Sequence, residues 1–204
     1  MNDECPKSKL EPNPKHGKFS EEPETMWMTE EDADRRMCLL REFNFHDPDG
    51  LPWITPKAYK VDGASIPWPL WSLVGSPYTG NYRRASIAHD RACDVANGDR
   101  KARSNADRMF YHACRAGGCS IYDATLLYIG VRIGAWMPDV PAWNAATGME
   151  YIGPRLSRSS AEEQMENDYR RVAEIVLNEG EIDDPIILEG HVDTALSMIT
   201  GVSL

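Results

Sequence analysis

The triplet Asn97-Gly98-Asp99 constrains this chain more than any other stretch. It interrupts two helix-patterned segments, one from about Tyr82 to Val95 and one from about Lys101 to Ala116, the second ending at Gly117-Gly118. A break this short folds the two back on each other as an antiparallel hairpin turning at Gly98. His89 lies nine positions before that glycine and Asp107 nine after it. At a rise of ~1.5 Å per residue, equal distances place the two at the same height on facing helices. Ala85, Ala88, Ala92, Cys93 and Ala96 line one stripe of the first helix, small enough for a close approach. On the second helix Asp107 shares its stripe with Phe110 and Cys114.

Burying a carboxylate costs several kcal/mol, on the order usual for unpaired charges, unless it is paired and hydrogen-bonded. A His89–Asp107 hydrogen bond offsets that cost. It also fixes the imidazole tautomer and leaves the other ring nitrogen to take a proton, as a general base does. Two uses stay open: a catalytic pair, or a structural pair that locks the hairpin. Asp90, one residue along and rotated by about 100°, points to a neighbouring face. It is a candidate oxygen ligand for a hard cation, with Asp62 and the Gly63 carbonyl in the preceding loop as partners in a Ca²⁺ site. The alternative for Asp62-Gly63 is a turn that ends a strand.

The rest of the chain divides around this hairpin. Residues 1–25 are rich in Pro, Lys and Glu without periodicity and read as a flexible arm. Residues 26–140 form the folded domain, and 141–204 a linker with an acidic amphipathic extension. "RRMCLLREFNF" and "LPWIT" read as two strands around the turn "HDPDG", with "AYKVD" as a third. "GASIPWPLWSLVGSPYTGN" is a structured loop. Ser120 caps a third helix that runs to about Met137 and is apolar almost all round, hence central. Ser160 and Glu163 open an amphipathic helix with Met165, Tyr169, Val172 and Val176 as its stripe. The segment after Gly180 is mixed in character and expected to pack on something. The expected class is α+β: an N-terminal β-hairpin or small antiparallel sheet on a mainly helical core, with the His–Asp hairpin and a third buried helix.

Composition narrows the functions. Twenty-two Lys and Arg against 32 Asp and Glu give a formal charge of −10, which argues against nucleic acid as a partner. The cluster Arg83, Arg84, Arg91, Arg100, Lys101, Arg103 and Arg108 reads as solvated helix faces. Five cysteines with no C-x-x-C pair read as reduced thiols of a protein made in the cytoplasm without a signal peptide. The most apolar run, "ATLLYIGVRIGAWM", contains an arginine and is short of the ~20 residues of a membrane span.

"ASIAHDRAC", "RKARSNADRMFYHA" and "DATLLYIGVRIGAW" together resemble the catalytic core of the phospholipase A2 superfamily, in its prokaryotic, disulfide-poor branch, over roughly residues 60–137. The resemblance implies that His89 activates a water, that Asp107 orients His89, and that Asp90 and the Asp62-Gly63 loop hold Ca²⁺. It implies a phospholipid membrane surface as partner. The glycine-rich calcium loop and paired disulfides of the animal enzymes are absent. "PKAYKVDGASIPWPLWSLVGSPYTGNYRRASIAHDRACD" also resembles an uncharacterised domain family frequent in phage and prophage genomes, marked by a D-G-A-S-I-P loop and an A-x-x-H-D helix, over about residues 37–135. That resemblance implies association with phage virion proteins. Three functions follow as expectations: a Ca²⁺-dependent phospholipid hydrolase, a virion or assembly protein that keeps the fold as scaffold, and a metal-dependent cell-wall hydrolase. Ser65 lies outside any G-x-S-x-G elbow and is expected to brace its loop. Trp68 and Trp71 suit either packing on the helices or an apolar rim that touches lipid.

Overall fold

The computed structural model describes residues 13–29, 36–61, 66, 70–74, 80–136 and 160–201. Its strands are β1 (Lys18–Phe19), β2 (Thr25–Trp27), β3 (Met37–Leu39), β4 (Phe43–His46), β5 (Pro52–Thr55) and β6 (Lys60–Val61). They form two antiparallel sheets, ordered β1-β4-β5 and β2-β3-β6. The expected hairpin around "HDPDG" is β4–β5, with Phe43 opposite Thr55 and His46 opposite Pro52. Asp47 closes its turn: one carboxylate oxygen accepts from the Asp49 and Leu51 amides and the other from the Trp53 indole.

Two expectations need correction here. "RRMCLLREFNF" is not one strand; it bends at residues 40–42 and places β3 and β4 in different sheets. Arg41 and Glu42 sit at that bend and stay in solvent, where a continuous strand would have to carry them into the sheet. Residues 13–25, expected as part of a flexible arm, are docked. β1 and β2 are paired there, and His16, in a short 3-10 helix (Pro14–His16), is fully buried.

The helices are α1 (Trp71–Val74), α2 (Arg83–Ala96), α3 (Arg100–Ala116), α4 (Ile121–Trp136), α5 (Ser160–Asn178) and α6 (Pro185–Thr200). The chain is thus α+β, as expected. The hairpin turns where the sequence placed it. Asn97 ends α2 in the left-handed conformation, Gly98 follows with φ +84°, and the Asp99 carboxylate accepts from the Ala102 amide to start α3. Ala85, Ala88, Ala92 and Ala96 are buried, and Cys93 is half-buried. The other face of α2 meets the strands through Ile87, which packs with Leu39, Phe43 and Val61. The Ser120 hydroxyl caps α4 through the Asp123 amide at 3.0 Å.

The helices α5 and α6 contribute to the same core, and the last segment packs on it as expected. Met165, Tyr169, Val172 and Val176 of α5 are buried where that helix packs on α4 and α6. The mixed final segment forms α6, capped by Asp184 with Pro185 at its first turn, and buries Leu188, Val192, Ala195 and Leu196. No helix among the described residues is long and apolar enough to cross a membrane. Asp62, Gly63, Ser65 and Trp68 lie outside the described residues. Between them Ile66 is described: it is buried, and its side chain sits where a Cβ on Gly130 of α4 would meet it at 3.3 Å.

Gly17 joins the docked amino-terminal segment to β4. Its φ is +90°, and a Cβ there would lie 2.2 Å from the His46 carbonyl oxygen. Gly98 has a similar φ with nothing within 4 Å of a Cβ. Gly17→Ala therefore meets strain and a backbone clash, whereas Gly98→Ala meets strain alone, about 1–3 kcal/mol. Urea unfolding should rank Gly17→Ala as the more destabilised of the two; equal stability would contradict the close β1–β4 approach.

Candidate functional site

α2 and α3 bring His89 and Asp107 together. His89 Nε2 donates to Asp107 Oδ1 at 2.9 Å, and both side chains are fully buried. The Phe110 ring lies against the imidazole, centroids 4.7 Å apart. Asp107 has two further partners that the spacing about Gly98 does not reveal. Arg103, one turn earlier on α3, donates its Nε to Oδ1 at 3.0 Å. Arg132 of α4 places Nη1 3.5 Å from Oδ2. The carboxylate thus sits among an imidazole and two guanidiniums.

Arg132 is itself held from elsewhere. Its Nη2 reaches both oxygens of Asp193 at 2.6 and 2.8 Å, its Nη1 donates to the Ser104 hydroxyl at 2.9 Å, and Glu189 lies 3.5 Å away. Asp193 and Glu189 both come from α6, and Arg108 pairs with Glu189. The helix left undefined by sequence therefore supplies the counter-charges behind the site. Burial raises the Asp193 carboxyl above its usual range, even beside Arg132.

Cys93 completes the cluster. One turn after His89 on α2, its sulfur is 3.5 Å from Nε2 and 3.7 Å from Nδ1. Burial favours a neutral imidazole, but the facing Cys93 and the Asp107 hydrogen bond outweigh it and carry His89 up to about 9. Burial likewise opposes the Cys93 thiolate, and the facing imidazolium overcomes it and lowers the thiol below its ordinary range. Asp107 is also lowered; burial works against its ionisation, and the His89 hydrogen bond and Arg103 prevail. Cys38, Cys93, Cys114 and Cys119 are all free thiols.

Of the expected cation ligands, Asp90 is buried on α2, about 5% exposed, and Asp62 and Gly63 lie outside the described residues. Among the described residues, the group of ligand-type atoms within 4.8 Å of one another is His89, Cys93 and Asp107, without Asp90. That mixed N, S and O set suits a borderline metal better than calcium, which takes six or more oxygens. Arg103 and Arg132 also occupy the field that a cation would need at Asp107. The expected basic cluster is partly paired: Arg84 bonds Glu22 at 2.9 Å and lies over Phe19, while Arg91 lies over Tyr59.

Fold and site together define a class: an α+β domain built round a buried His–Asp pair on a helix hairpin. Residues 37–131 carry a DUF1353 domain, a family described as protein of unknown function. The matched segment runs from β3 into α4 and contains His89, Cys93, Arg103 and Asp107. The chain is also similar to two proteins of Sinorhizobium fredii (strain NBRC 101917 / NGR234). It is 38% identical to the uncharacterized protein y4jT over 117 residues, 56% of this chain and 33% of that one. It is 36% identical to the uncharacterized protein y4iH over 125 residues, 59% of this chain and 50% of that one. The chain thus spans a third to a half of the length of these relatives. No solved structure matches it.

Two outcomes follow from the charge arrangement. His89 is raised from 6.5 to about 9, so its contribution to stability is fully present below pH 6.5 and is lost as pH rises through 9. Urea unfolding at pH 6 and pH 9.5 should show that loss in the wild type and a smaller one in His89→Gln. Arg132→Met removes one partner of a buried charge network, a change that costs about 3–5 kcal/mol. A stability within 1 kcal/mol of wild type in the same assay would contradict the role given to Arg132.

Proposed function

We propose that the chain is a phospholipase A2-like hydrolase, with a carboxylic ester of phospholipid as substrate and His89 as general base. The 2.9 Å hydrogen bond between His89 Nε2 and Asp107 Oδ1 carries this reading. It fixes the ring from one side and leaves Nδ1, 3.7 Å from the Cys93 sulfur, as the nitrogen that takes a proton from water once the ring is neutral, above about pH 9. Arg103 and Arg132 keep Asp107 ionised, so it holds His89 as a carboxylate throughout. In this reading Cys93, half-buried and 3.7 Å from Nδ1, is the polar neighbour of the base.

Asp90 fits the hard-cation class as a carboxylate next to the base, and with Asp62 and the Gly63 carbonyl it would hold Ca²⁺. A cation bound there would supply positive charge to the ester oxygen as it becomes an oxyanion. The chain's own residues do the rest. His89 takes the proton of the attacking water and then gives it to the leaving alcohol, while Asp107 holds the ring in place. Association with phage particles belongs to the same reading, through the resemblance of the D-G-A-S-I-P loop and the helix that carries His89-Asp90.

A scaffold role is the second reading. It is favoured by the full burial of His89 and by its elevated pKa, both suited to a pair that locks the hairpin. One experiment separates the two. With Ca²⁺, the wild-type chain should release fatty acid from mixed-phospholipid vesicles. His89→Ala should lower the rate by about 10²–10⁴-fold, the usual worth of a general base, while its circular dichroism stays native. No release by the wild type at any pH from 7 to 10 would leave the scaffold.

A further inference from the structure

A second cluster of titratable groups lies where the amino-terminal segment docks on α3. His16 Nδ1 and His112 Nδ1 face each other at 3.0 Å. On its other side His16 Nε2 contacts Asp183 Oδ2 at 3.1 Å. Asp183 is held in turn by Lys15 Nζ at 2.9 Å, Arg115 Nε at 2.8 Å and the Tyr111 hydroxyl at 3.1 Å. We propose that His16 and His112 form a metal site for a dication that prefers imidazole, of the Zn²⁺ or Ni²⁺ class, clipping the amino-terminal segment to α3.

The geometry has the parts such a site needs. A ligating imidazole commonly donates its other N–H to a carboxylate, which fixes the tautomer and leaves the facing nitrogen with a lone pair. Asp183 does this for His16, so that His16 Nδ1 is an acceptor aimed at His112. Zinc bonds imidazole at ~2.0–2.1 Å, so a tetrahedral ion sets its two nitrogens about 3.3 Å apart. A small opening of the 3.0 Å contact accommodates that spacing, with His112 carrying its proton on Nε2. Two imidazoles fill half of a tetrahedral shell, and water would fill the rest.

The surrounding charge is also suitable. Asp183, Asp184, Asp47 and Asp49 act on the two rings, against Lys15 and Arg115. The carboxylates of Asp47, Asp49 and Asp184 near His112 favour a positive charge there. Burial opposes a charge on either ring and so favours the neutral form that ligates a metal. The site is separate from the His89–Cys93–Asp107 group and uses no thiol.

The test is Zn²⁺ binding to the full chain, by calorimetry and by metal content after desalting, with thermal unfolding alongside. The wild type should hold one equivalent whose X-ray absorption shows nitrogen and oxygen ligands, and its melting temperature should rise with Zn²⁺. His112→Ala, which keeps all five cysteines, should bind that equivalent at least tenfold more weakly and lose the thermal shift. His89→Ala should keep both. In the wild type, Zn²⁺ should also shift the side-chain ¹⁵N resonances of His16 and His112, a readout that needs no variant. No bound equivalent, a sulfur-rich ligand shell, unshifted His16 and His112 resonances, or loss in His89→Ala instead of His112→Ala would each overturn the proposal.

Discussion

The charge on Asp107 is the constraint around which the structure is arranged. A carboxylate at the seam of two helices has no water to solvate it, and leaving it unpaired would cost more than most single contacts contribute. Each neighbouring element answers that charge. α2 supplies His89, α3 supplies Arg103 one turn away, and α4 supplies Arg132. Bringing a guanidinium into the centre of an apolar helix creates a second demand, met by Asp193 and Glu189 of α6. The carboxy-terminal helix is therefore tied to the site through one arginine.

Much of this was legible in the sequence because it depends on local spacing. Equal separations from Gly98 placed His89 and Asp107 level, and the alanine stripe indicated a close approach; both are observed. What escaped depends on contacts between distant segments. Arg132 was visible as a charge inside "ATLLYIGVRIGAWM" and served only to exclude a membrane span. An arginine there was also a signal that some distant acid must face it. Arg103 and Cys93 stand four residues from Asp107 and His89, a helical spacing that pairs side chains and could have been read. The Asp184-Pro185 start of α6 was a capping signal hidden by a glycine within the segment that followed.

The amino-terminal residues were harder to read for a physical reason. The 3-10 turn at Pro14–His16 and the two-residue β1 have no periodicity to detect, and their order comes from partners far along the chain. His16 is fixed by His112 and Asp183, and Gly17 by the His46 backbone. A Pro- and Lys-rich composition therefore coexists with a docked segment. The bend at residues 40–42 follows a similar logic, since two adjacent charges decide it against the strand propensity on either side.

Whether the domain hydrolyses lipid or serves as scaffold, both readings rest on the His89–Asp107 bond as a real energetic coupling. A double-mutant cycle with His89→Gln, Asp107→Asn and the combined variant, read by urea unfolding at pH 7, measures that coupling directly. A hydrogen-bonded buried pair should give a coupling of about 1–3 kcal/mol. Additive losses, with a coupling near zero, would mean that the two side chains are neighbours without a bond and that the pair does not lock the hairpin.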